Sequence, residues 1–401
     1  MFLHQGRLPH VLRPSCYTSQ EHFDRELATI FRPAWHLVGT TADLRRPGDF
    51  ITFELFGQPV QLRNIDGLFQ AFSNVCVHRH CLLTSLAKGR SPKIRCQYHG
   101  WEYDHTGRTG HVPDPKNFVP FDREADRLET FRVERCGQLL FLSLEPAGPS
   151  LHQWLGQEFE LLEACCDDRW RQTWAWSVEL PCNWKVPIEN SLEGYHIPAV
   201  HPETFKVAPT SERTTHVLEP HATRFSTYYV PWSWVESVLH TLEDGVMRAL
   251  GARRREPYYE HRHLFPGLMV SAMDIATFCY AVIPISPTRC RAEIRLFGYR
   301  GQRASLLAGA VFALWAPLQR ALTRRVIGED MTIYAPVQNG MAASTHDGCL
   351  GAIEERVYAF QQYVHQRCYG PAHDGADHAA ASTTHGLLDT NQGAARGPIP
   401  A

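Results

Sequence analysis

The chain has 401 residues, and 40 Lys and Arg against 42 Asp and Glu give a formal net charge of -2. Hydrophobic residues at 44% and charged residues at 20% are ordinary for a globular protein of two or three domains. The balanced charge argues against nucleic-acid binding, and no apolar run approaches the roughly 20 residues that span a bilayer. Because Met1–Pro14 also lacks the apolar core of a signal peptide, we expect a soluble, cytoplasmic protein.

The first predicted element is an amphipathic, capped helix over residues 18–33, which Pro33 ends. Its apolar residues at helical spacing are Phe23, Leu27, Ile30 and Phe31. From Trp35 to about Leu144, short alternating segments separated by Gly, Asp and Pro predict a β-rich module. Residues 133–142 form its predicted last hairpin, and the Pro-Ala-Gly-Pro stretch at 146–149 marks a linker.

The rest of the chain mixes both kinds of element. The predicted strands are 178–180, 281–284 and 291–299, and the predicted helices are 306–333 and 352–369. Its most apolar run, Leu306–Trp315, is about ten residues long and is interpreted as a buried helix. The residues after Gly370 show no periodicity and are rich in Ala, Gly and His, so we expect disorder. The expected segments are a helical one over 1–34, a β domain over 35–146, an α+β domain over 150–370 and a disordered tail over 371–401.

Two short motifs in the β-rich module each pair a Cys with a His. Cys76 and His78 are two residues apart, and Cys96 and His99 are three residues apart. Two thiolates and two imidazoles are the ligand set of a Rieske [2Fe–2S] centre. The alternative is a zinc site, but Cys2His2 zinc fingers carry their Cys pair before their His pair rather than in alternation. The pattern therefore favours a cluster, held by two loops at one tip of the module.

A third motif, in the α+β part, pairs His196 with His201 close to Glu193. Two His and one carboxylate on one face are typical of non-haem iron enzymes. Glu193 and His196 are expected to share a helix face, and Pro198 to break that helix so that His201 turns back toward the same metal. The simpler alternative is that these His residues are hydrogen-bonded core residues in an aromatic-rich segment.

Both regions resemble the ring-hydroxylating oxygenases. Residues 76–79 match the Cys-x-His-Arg of their Rieske domain, and residues 96–104 match Cys-x-Tyr-His-Gly-Trp-x-Tyr-Asp. Residues 183–201 match Asn-Trp-Lys-x3-Glu-Asn followed by acid-x2-His-x4-His. One departure is His80, where the family usually has a Gly, and a His tolerates a positive φ there only with some strain.

The resemblance implies an α+β fold with an N-terminal all-β Rieske domain and a C-terminal helix-grip-like catalytic domain. It implies a [2Fe–2S] cluster on Cys76, His78, Cys96 and His99, and a mononuclear Fe(II) on His196, His201 and a downstream carboxylate. Asp330 matches that carboxylate, and Glu329 is its rival. Asn190 and Glu193 are the implied catalytic residues, and Glu193 stands where the family's bridging acid contacts a cluster-ligating His of a neighbouring subunit.

The function implied is that of a terminal oxygenase, which uses O2 to hydroxylate or oxidatively demethylate a small organic substrate. The resemblance implies that electrons pass from the cluster of one chain to the iron of another. Such transfer between chains implies a ring of subunits, most simply a homotrimer. No G-x-G-x-x-G fingerprint is present, so a separate NAD(P)H-dependent reductase or ferredoxin is implied. Aromatic residues between 225 and 280 could hold an arene or a quaternary ammonium group, although most are expected to be ordinary packing. The alternative function is a Rieske electron-transfer protein without catalytic iron.

Overall fold

The structure is a computed structural model that describes residues 1–204, 209–227, 234–252, 259–301 and 306–370. The expected disordered tail over 371–401 lies outside these ranges, as do four of the aromatic residues considered for the substrate pocket, Tyr228, Tyr229, Trp232 and Tyr258. Within the described ranges, no helix has the length and apolar character needed to cross a bilayer.

The N-terminal segment is less regular than a single helix. Its elements are strand β1 (Leu8–Pro9), a 3-10 turn (Pro14–Tyr17), helix α1 (Gln20–Glu26) and a π turn (Leu27–Phe31). The prediction of one capped helix over 18–33 was therefore partly wrong, because Ser19 occupies the N-cap position without a side-chain cap bond. The predicted buried face is present, since Phe23, Ile30 and Phe31 are buried and Leu27 packs beside them. The wider π turn places both Ile30 and Phe31 in the core.

The first large sheet is antiparallel, with seven strands in the order β2-β10-β9-β5-β4-β3-β6. A separate short hairpin, β7 with β8, projects from it. The strands are β2 (His36–Thr40), β3 (Asp49–Leu55), β4 (Gln58–Ile65), β5 (Leu68–Ser73), β6 (Lys88–Arg90), β7 (Ile94–Arg95), β8 (Glu102–Tyr103), β9 (Thr130–Cys136) and β10 (Leu139–Ser143). The β-rich module and its last hairpin are as the alternating pattern predicted.

Two short helices, α2 (Leu151–Leu155) and α3 (Glu158–Ala164), lead into a second antiparallel sheet in the order β11-β17-β16-β15-β14-β13-β12. Its strands are β11 (Trp170–Leu180), β12 (Thr214–Leu218), β13 (Ala222–Thr227), β14 (Tyr259–Leu264), β15 (Leu268–Ala272), β16 (Ala276–Ser286) and β17 (Arg289–Tyr299). Its helices are α4 (Lys185–Leu192), α5 (Ile197–Val200), α6 (Trp234–Leu250), α7 (Leu306–Ala343) and α8 (Glu355–Tyr369). The last strand, β18 (Cys349–Leu350), pairs with β1. Together the two sheets and these helices confirm the α+β fold class.

Helix α7 differs from its prediction in length and in burial. It continues past residue 333 to Ala343 with Pro336 inside it. The expectation that Leu306–Trp315 is buried was wrong, because Leu306 is 97% and Leu314 76% exposed. Only one face of the helix, which includes Ala308 and Phe312, packs on the second sheet and α6. A composition-based estimate of burial misses this because burial follows the face of the helix.

The N-terminal segment packs against α4 through a buried polar cluster. The carboxylate of Glu26 accepts a hydrogen bond from the Trp184 indole at 2.6 Å and forms an ion pair with Lys185 at 2.5 Å. All three side chains are almost fully buried, and the Phe31 ring meets the Trp184 ring edge-on at 4.6 Å. A buried charge is tolerated only when it is paired and hydrogen-bonded, as here. This contact fixes α4, whose far end carries the second motif.

Candidate metal centres

The two Cys-His motifs form matching loops at one end of the first sheet. The Cys76 loop follows β5, and the Cys96 loop joins β7 to β8. In the first loop the amide of His80 donates to the carbonyl of Cys76 at 3.0 Å, and in the second the amide of Gly100 donates to the carbonyl of Cys96 at 3.1 Å. Each loop is thus a single turn closed four residues after its Cys.

The four side chains converge with the thiols inside and the imidazoles outside. Cys76 and Cys96 are 2% and 3% exposed, whereas His78 and His99 are partly exposed with ring centroids 4.8 Å apart. The His78 ring stacks on Trp101 at 4.8 Å. A Rieske cluster needs one iron held by two thiolates and the other by two imidazoles, so this arrangement fits the group.

Tyr103 is a contact of this site that the sequence reasoning missed. Its hydroxyl lies 3.0 Å from the sulfur of Cys76 and accepts from the amide of Val77 at 3.3 Å. Burial raises the pKa of the Cys76 thiol, while the Tyr103 hydrogen bond opposes that rise. A hydroxyl directed at a ligand sulfur stabilises its thiolate form. The signal was present, since Tyr103 is the Tyr of the matched Cys-x-Tyr-His-Gly-Trp-x-Tyr-Asp stretch.

His80 adopts the left-handed conformation that the missing Gly suggested. Its φ is +57°, and the corresponding residue of the other loop, Gly100, has φ +74°. A residue with a Cβ pays for this backbone region, which Gly reaches without cost. The strain expected of His80 is therefore present, and the loop closes in spite of it.

The second motif is built on the break between two helices. Helix α4 ends at Leu192, and Glu193 is extended with φ -129° and ψ 167°. Glu193 and His196 therefore do not share a helix face as expected; instead, the Glu193 carboxylate accepts from the amides of Tyr195 and His196. Pro198 does not break a helix either, because it lies in the first turn of α5, where a Pro is well tolerated, and His201 caps its end.

These turns bring the two imidazoles and the predicted carboxylate together. Asp330 Oδ1 lies 3.5 Å from His196 Nε2 and 3.0 Å from His201 Nε2. Asp330 comes from the middle of α7, more than a hundred residues downstream. Two imidazoles and one carboxylate on one side of a site form the facial set that holds non-haem Fe(II), so the donor chemistry fits the iron.

Each imidazole also forms a hydrogen bond through Nδ1 to a second carboxylate. His196 Nδ1 donates to Glu193 Oε1 at 2.5 Å, and His201 Nδ1 donates to Glu329 Oε2 at 2.8 Å. Such contacts fix the tautomer that leaves Nε2 free for a metal. Glu329, which sequence left as a rival for Asp330, thus lies on the opposite side of His201 and also accepts from Thr204 and Arg325.

Hydrogen bonds around Asp330 shift the pKa values of the carboxyl and of its imidazole partner. The Asn190 amide donates to Asp330 Oδ1 at 2.9 Å. Burial opposes the charged form of Asp330, but hydrogen bonds from His196, His201 and Asn190 outweigh it and lower the pKa of that carboxyl. Burial likewise opposes the charged form of His196, yet its bonds to Asp330 and Glu193 raise the pKa of this imidazole to about 9. The carboxylates around the two imidazoles thus favour a positive charge at this site, which a bound metal cation would supply.

Some of the aromatic residues considered for the substrate pocket are core residues. Phe265 packs on Phe360 and Tyr363, and Tyr280 is buried next to Tyr334. Phe225 and Tyr259 instead form an edge-to-face pair with centroids 6.1 Å apart, and the charge of Asp330 reaches the Tyr259 phenol. The aromatic surface near the second centre is therefore on β13 and β14.

Comparison with known protein families gives two matches. Residues 34–132 match the Rieske [2Fe-2S] domain, and residues 167–370 match the ring hydroxylating alpha subunit (catalytic domain). Over 190 residues the chain is 32% identical to the carnitine monooxygenase oxygenase subunit of Escherichia coli strain K12, an alignment covering 46% of this chain and 50% of that protein. Over 202 residues it is 31% identical to the glycine betaine monooxygenase oxygenase subunit of Chromohalobacter salexigens, covering 50% and 45%. The chain thus spans about half the length of the curated relatives it matches.

Solved structures share the whole fold. A quaternary ammonium Rieske monooxygenase in complex with L-carnitine superposes with a TM-score of 0.69 at 20% identity, over 90% of this chain and 95% of that one. Naphthalene 1,2-dioxygenase from Rhodococcus sp. gives 0.70 at 17% identity, over 90% and 94%. A Rieske domain carries a [2Fe–2S] cluster, and the catalytic domain of this family binds a mononuclear iron. The chain belongs to the family of ring-hydroxylating alpha subunits and joins that catalytic domain to a Rieske domain.

Proposed function

We propose that the chain is the terminal oxygenase of a multicomponent Rieske non-haem iron system. It would use O2, and electrons from a separate NAD(P)H-dependent reductase or ferredoxin, to hydroxylate or oxidatively demethylate a small aromatic or quaternary ammonium compound. The observation that carries this proposal is the convergence of His196, His201 and Asp330, with donor atoms within 4.8 Å of one another. A Rieske protein that only carried electrons would have no use for this site.

The residues that would hold the two groups follow from the geometry. Cys76, His78, Cys96 and His99 would hold the cluster; His196, His201 and Asp330 would hold the iron. When bound, the cluster supplies single electrons and the iron supplies the centre at which O2 is activated. Asn190 would keep Asp330 oriented through its hydrogen bond at 2.9 Å, and Glu193 would keep His196 in one tautomer.

Glu193 would also link the iron site to a neighbouring subunit. Two exposed tyrosines accompany the two centres: Tyr195, 69% exposed, follows Glu193, and Tyr98, 55% exposed, stacks on His99 at 3.6 Å. Aromatic residues exposed beside functional groups are typical of surfaces that a partner covers. A homotrimer, with the cluster loops of one chain against Tyr195 of the next, would satisfy both surfaces. Inter-subunit electron transfer has been described for a quaternary ammonium Rieske monooxygenase of the same fold.

The substrate class follows the relatives only in outline. Similar proteins are named for carnitine, glycine betaine and toluate, two quaternary ammonium compounds and one aromatic acid. The Phe225 and Tyr259 rings could face either kind of molecule, because both an arene and a quaternary ammonium group favour aromatic walls.

The domain limits and the location complete the proposal. Residues 1–34 would form a segment that packs on the catalytic domain, 35–146 the Rieske domain and 150–370 the catalytic domain. All twelve cysteines lie in the described ranges, and none of them forms a disulfide. Since reduced cysteines are usual in the cytoplasm, we place the chain there.

A single-turnover experiment tests the function. Protein loaded with both groups is reduced chemically, freed of reductant and mixed with O2 and L-carnitine, glycine betaine or p-toluate. We expect oxidised product from one compound class, with cluster reoxidation accelerated by that compound. Asp330→Ala should form no product while it keeps the cluster spectrum. Equal product from Asp330→Ala and the parent would contradict the assignment, and a parent that reoxidises without product would favour an electron carrier.

A further inference from the structure

The second residue of α8, Arg356, is a buried cation without an anionic partner. Its side chain is 1% exposed. Its nitrogens donate to the Thr223 hydroxyl and carbonyl at 3.1 and 3.5 Å, to the Leu192 carbonyl at 3.3 Å and to His261 Nδ1 at 2.9 Å. Each of these acceptors is neutral, and no carboxylate of the described residues forms an ion pair with Arg356.

The neighbouring Glu355 cannot neutralise this charge, because its carboxylate is already occupied. It accepts from the amides of Leu3 and His4 and faces the imidazole of His216 at 2.7 Å. Glu355 is fully buried on the side of α8 that meets the N-terminal residues and β12. Glu355 and Arg356 are adjacent in sequence but have different hydrogen-bond partners.

Arg356 stays charged at neutral pH in spite of its burial. Burial lowers its pKa to about 9, which still leaves the guanidinium protonated. Burial also lowers the pKa of His261 well below its ordinary value, so that this ring is neutral and accepts from Arg356 through Nδ1. A buried charge without a counter-ion is costly for a fold, so a ligand that supplies the missing charge would be stabilised in return.

The position of Arg356 connects it to the iron site. Leu192, whose carbonyl it contacts, directly precedes Glu193, and its guanidinium lies 6.0 Å from the Phe225 ring centroid. The Tyr259 phenol is within reach of both the Arg356 charge and the Asp330 charge. The aromatic pair of Phe225 and Tyr259 thus lies next to a fixed cation and close to the carboxylate of the metal site.

We propose that Arg356 anchors an oxyanion group of the substrate, a carboxylate in the first instance, so that the rest of the molecule lies along Phe225 and Tyr259 toward His196 and His201. The inference deepens the proposed function and rests on it. The four hydrogen bonds of Arg356 to the protein leave one of its five guanidinium hydrogens, on the nitrogen that contacts Leu192, for an oxyanion, and the positive charge adds to that contact. A substrate without an anionic group would leave the cation unpaired and would bind less tightly.

Matched ligand pairs test the anchor without requiring turnover. Protein loaded with cluster and iron is titrated under anaerobic conditions with p-toluate against p-toluamide, and with glycine betaine against its amide. Inorganic phosphate forms a third arm, which distinguishes a phosphorylated substrate from a carboxylate. We expect p-toluate or glycine betaine to raise the unfolding temperature of the protein and to bind at least tenfold more tightly than the corresponding amide.

Variants of Arg356 sharpen the result. Arg356→Gln should weaken the binding of that oxyanion by about 100-fold and bring the ratio of its affinity to that of the neutral compound close to one. Arg356→Lys should recover part of the preference, because the charge is retained. Arg367→Gln, on the exposed part of the same helix, is the matched control and should bind as the parent does.

Several outcomes would overturn the anchor. One is a parent protein that binds oxyanions and their neutral counterparts alike, and this result does not depend on whether any variant folds. Another is an Arg356→Gln protein that still prefers the oxyanion over its neutral counterpart. If that protein also loses iron and stability, Arg356 stabilises the end of α4 and does not bind the substrate. Iron counting separates this from the function itself: a chain with a mononuclear iron but no oxyanion preference refutes the anchor alone, and a chain without that iron refutes the oxygenase.

Discussion

Glu329 and Asp330, adjacent residues of α7, contact opposite nitrogens of one imidazole. Glu329 Oε2 lies 2.8 Å from His201 Nδ1, and Asp330 Oδ1 lies 3.0 Å from His201 Nε2. Neighbouring residues of a helix point about 100° apart, so a ring inserted between them can meet both. In the proposed iron site, Glu329 would orient the His201 ring and Asp330 would supply the carboxylate ligand.

Removing the orienting carboxylate should weaken iron binding without abolishing it. We expect Glu329→Ala to lower the affinity for Fe(II) by roughly 10- to 100-fold, the usual effect of losing the partner of a ligating His. Glu329→Gln should do less, because its amide oxygen can still accept from His201. Fe(II) titration monitored by metal analysis measures this.

Glu203→Ala is the matched control for Glu329→Ala, since Glu203 also pairs with Arg325, at 2.5 Å, but its side chain is 77% exposed. It should bind Fe(II) as the parent does. Loss of affinity in Glu203→Ala equal to that in Glu329→Ala would mean that the surface ion pairs, rather than the orientation of His201, determine iron binding.

Glu193→Gln should separate iron binding from electron delivery. The amide oxygen can still accept from His196, so both metal groups should remain, but the negative charge that would link His196 to the next subunit is lost. We expect the rate at which the reduced cluster is reoxidised in a single turnover to fall at least tenfold, measured by stopped-flow absorbance. An undiminished rate, with product formed as in the parent, would remove Glu193 from the route.

Substitutions at His80 and Gly100, the fourth residue after the Cys in each loop, should change stability in opposite directions. Gly100→Ala should destabilise the protein by about 1–2 kcal/mol, because φ is +74°, whereas the exposed Arg95 side chain that the added Cβ would approach can move aside. His80→Gly should stabilise it by up to about 1 kcal/mol, since relief of the left-handed strain is partly offset by a more flexible unfolded chain. Denaturant unfolding followed at the cluster absorbance measures both, and a destabilising His80→Gly would show that the His80 side chain contributes contacts that outweigh the strain.

Acid should destabilise the chain partly through His36. Burial lowers the pKa of His36 to about 4, and its ring donates to the Phe31 carbonyl at 2.6 Å. Because the unfolded chain binds this proton near pH 6.5 and the folded chain only near pH 4, stability falls as the pH drops through that window. From about pH 7 to about pH 5 the loss due to His36 is roughly 2 kcal/mol.

His36→Gln keeps a donor for Phe31 but does not titrate, so its loss of unfolding free energy over the same interval should be smaller than the parent's by that amount. His152→Gln, an exposed imidazole on α2, is the control and should follow the parent. Identical pH profiles for His36→Gln and the parent would show that His36 is not the group responsible.

Most of the candidate metal-binding residues could be proposed from sequence because they lie in short, chemically distinctive motifs. Cys76, His78, Cys96 and His99 come from two turns, and the alternation of Cys with His is informative without any structure. The structure brings His196 and His201 together as the motif predicted, but the local geometry assumed for them was wrong. Spacing cannot distinguish an extended Glu193 and a Pro198 in the first turn of α5 from a broken helix.

Contacts between distant segments were beyond sequence reasoning. The sequence made Glu329 a rival metal ligand but did not indicate that it contacts the Nδ1 side of the His201 ring, and nothing near Arg356 in the sequence indicates a lack of acidic partners. The exposed leucines of α7 show the same limit, because burial depends on which face of a helix another element covers.

Iron counting on protein reconstituted with iron and sulfide tests the central claim most directly. The account predicts about three irons per chain, two in the cluster and one mononuclear, and about two in Asp330→Ala with the same visible spectrum. Two irons per chain in both proteins, or a colourless parent, would contradict it.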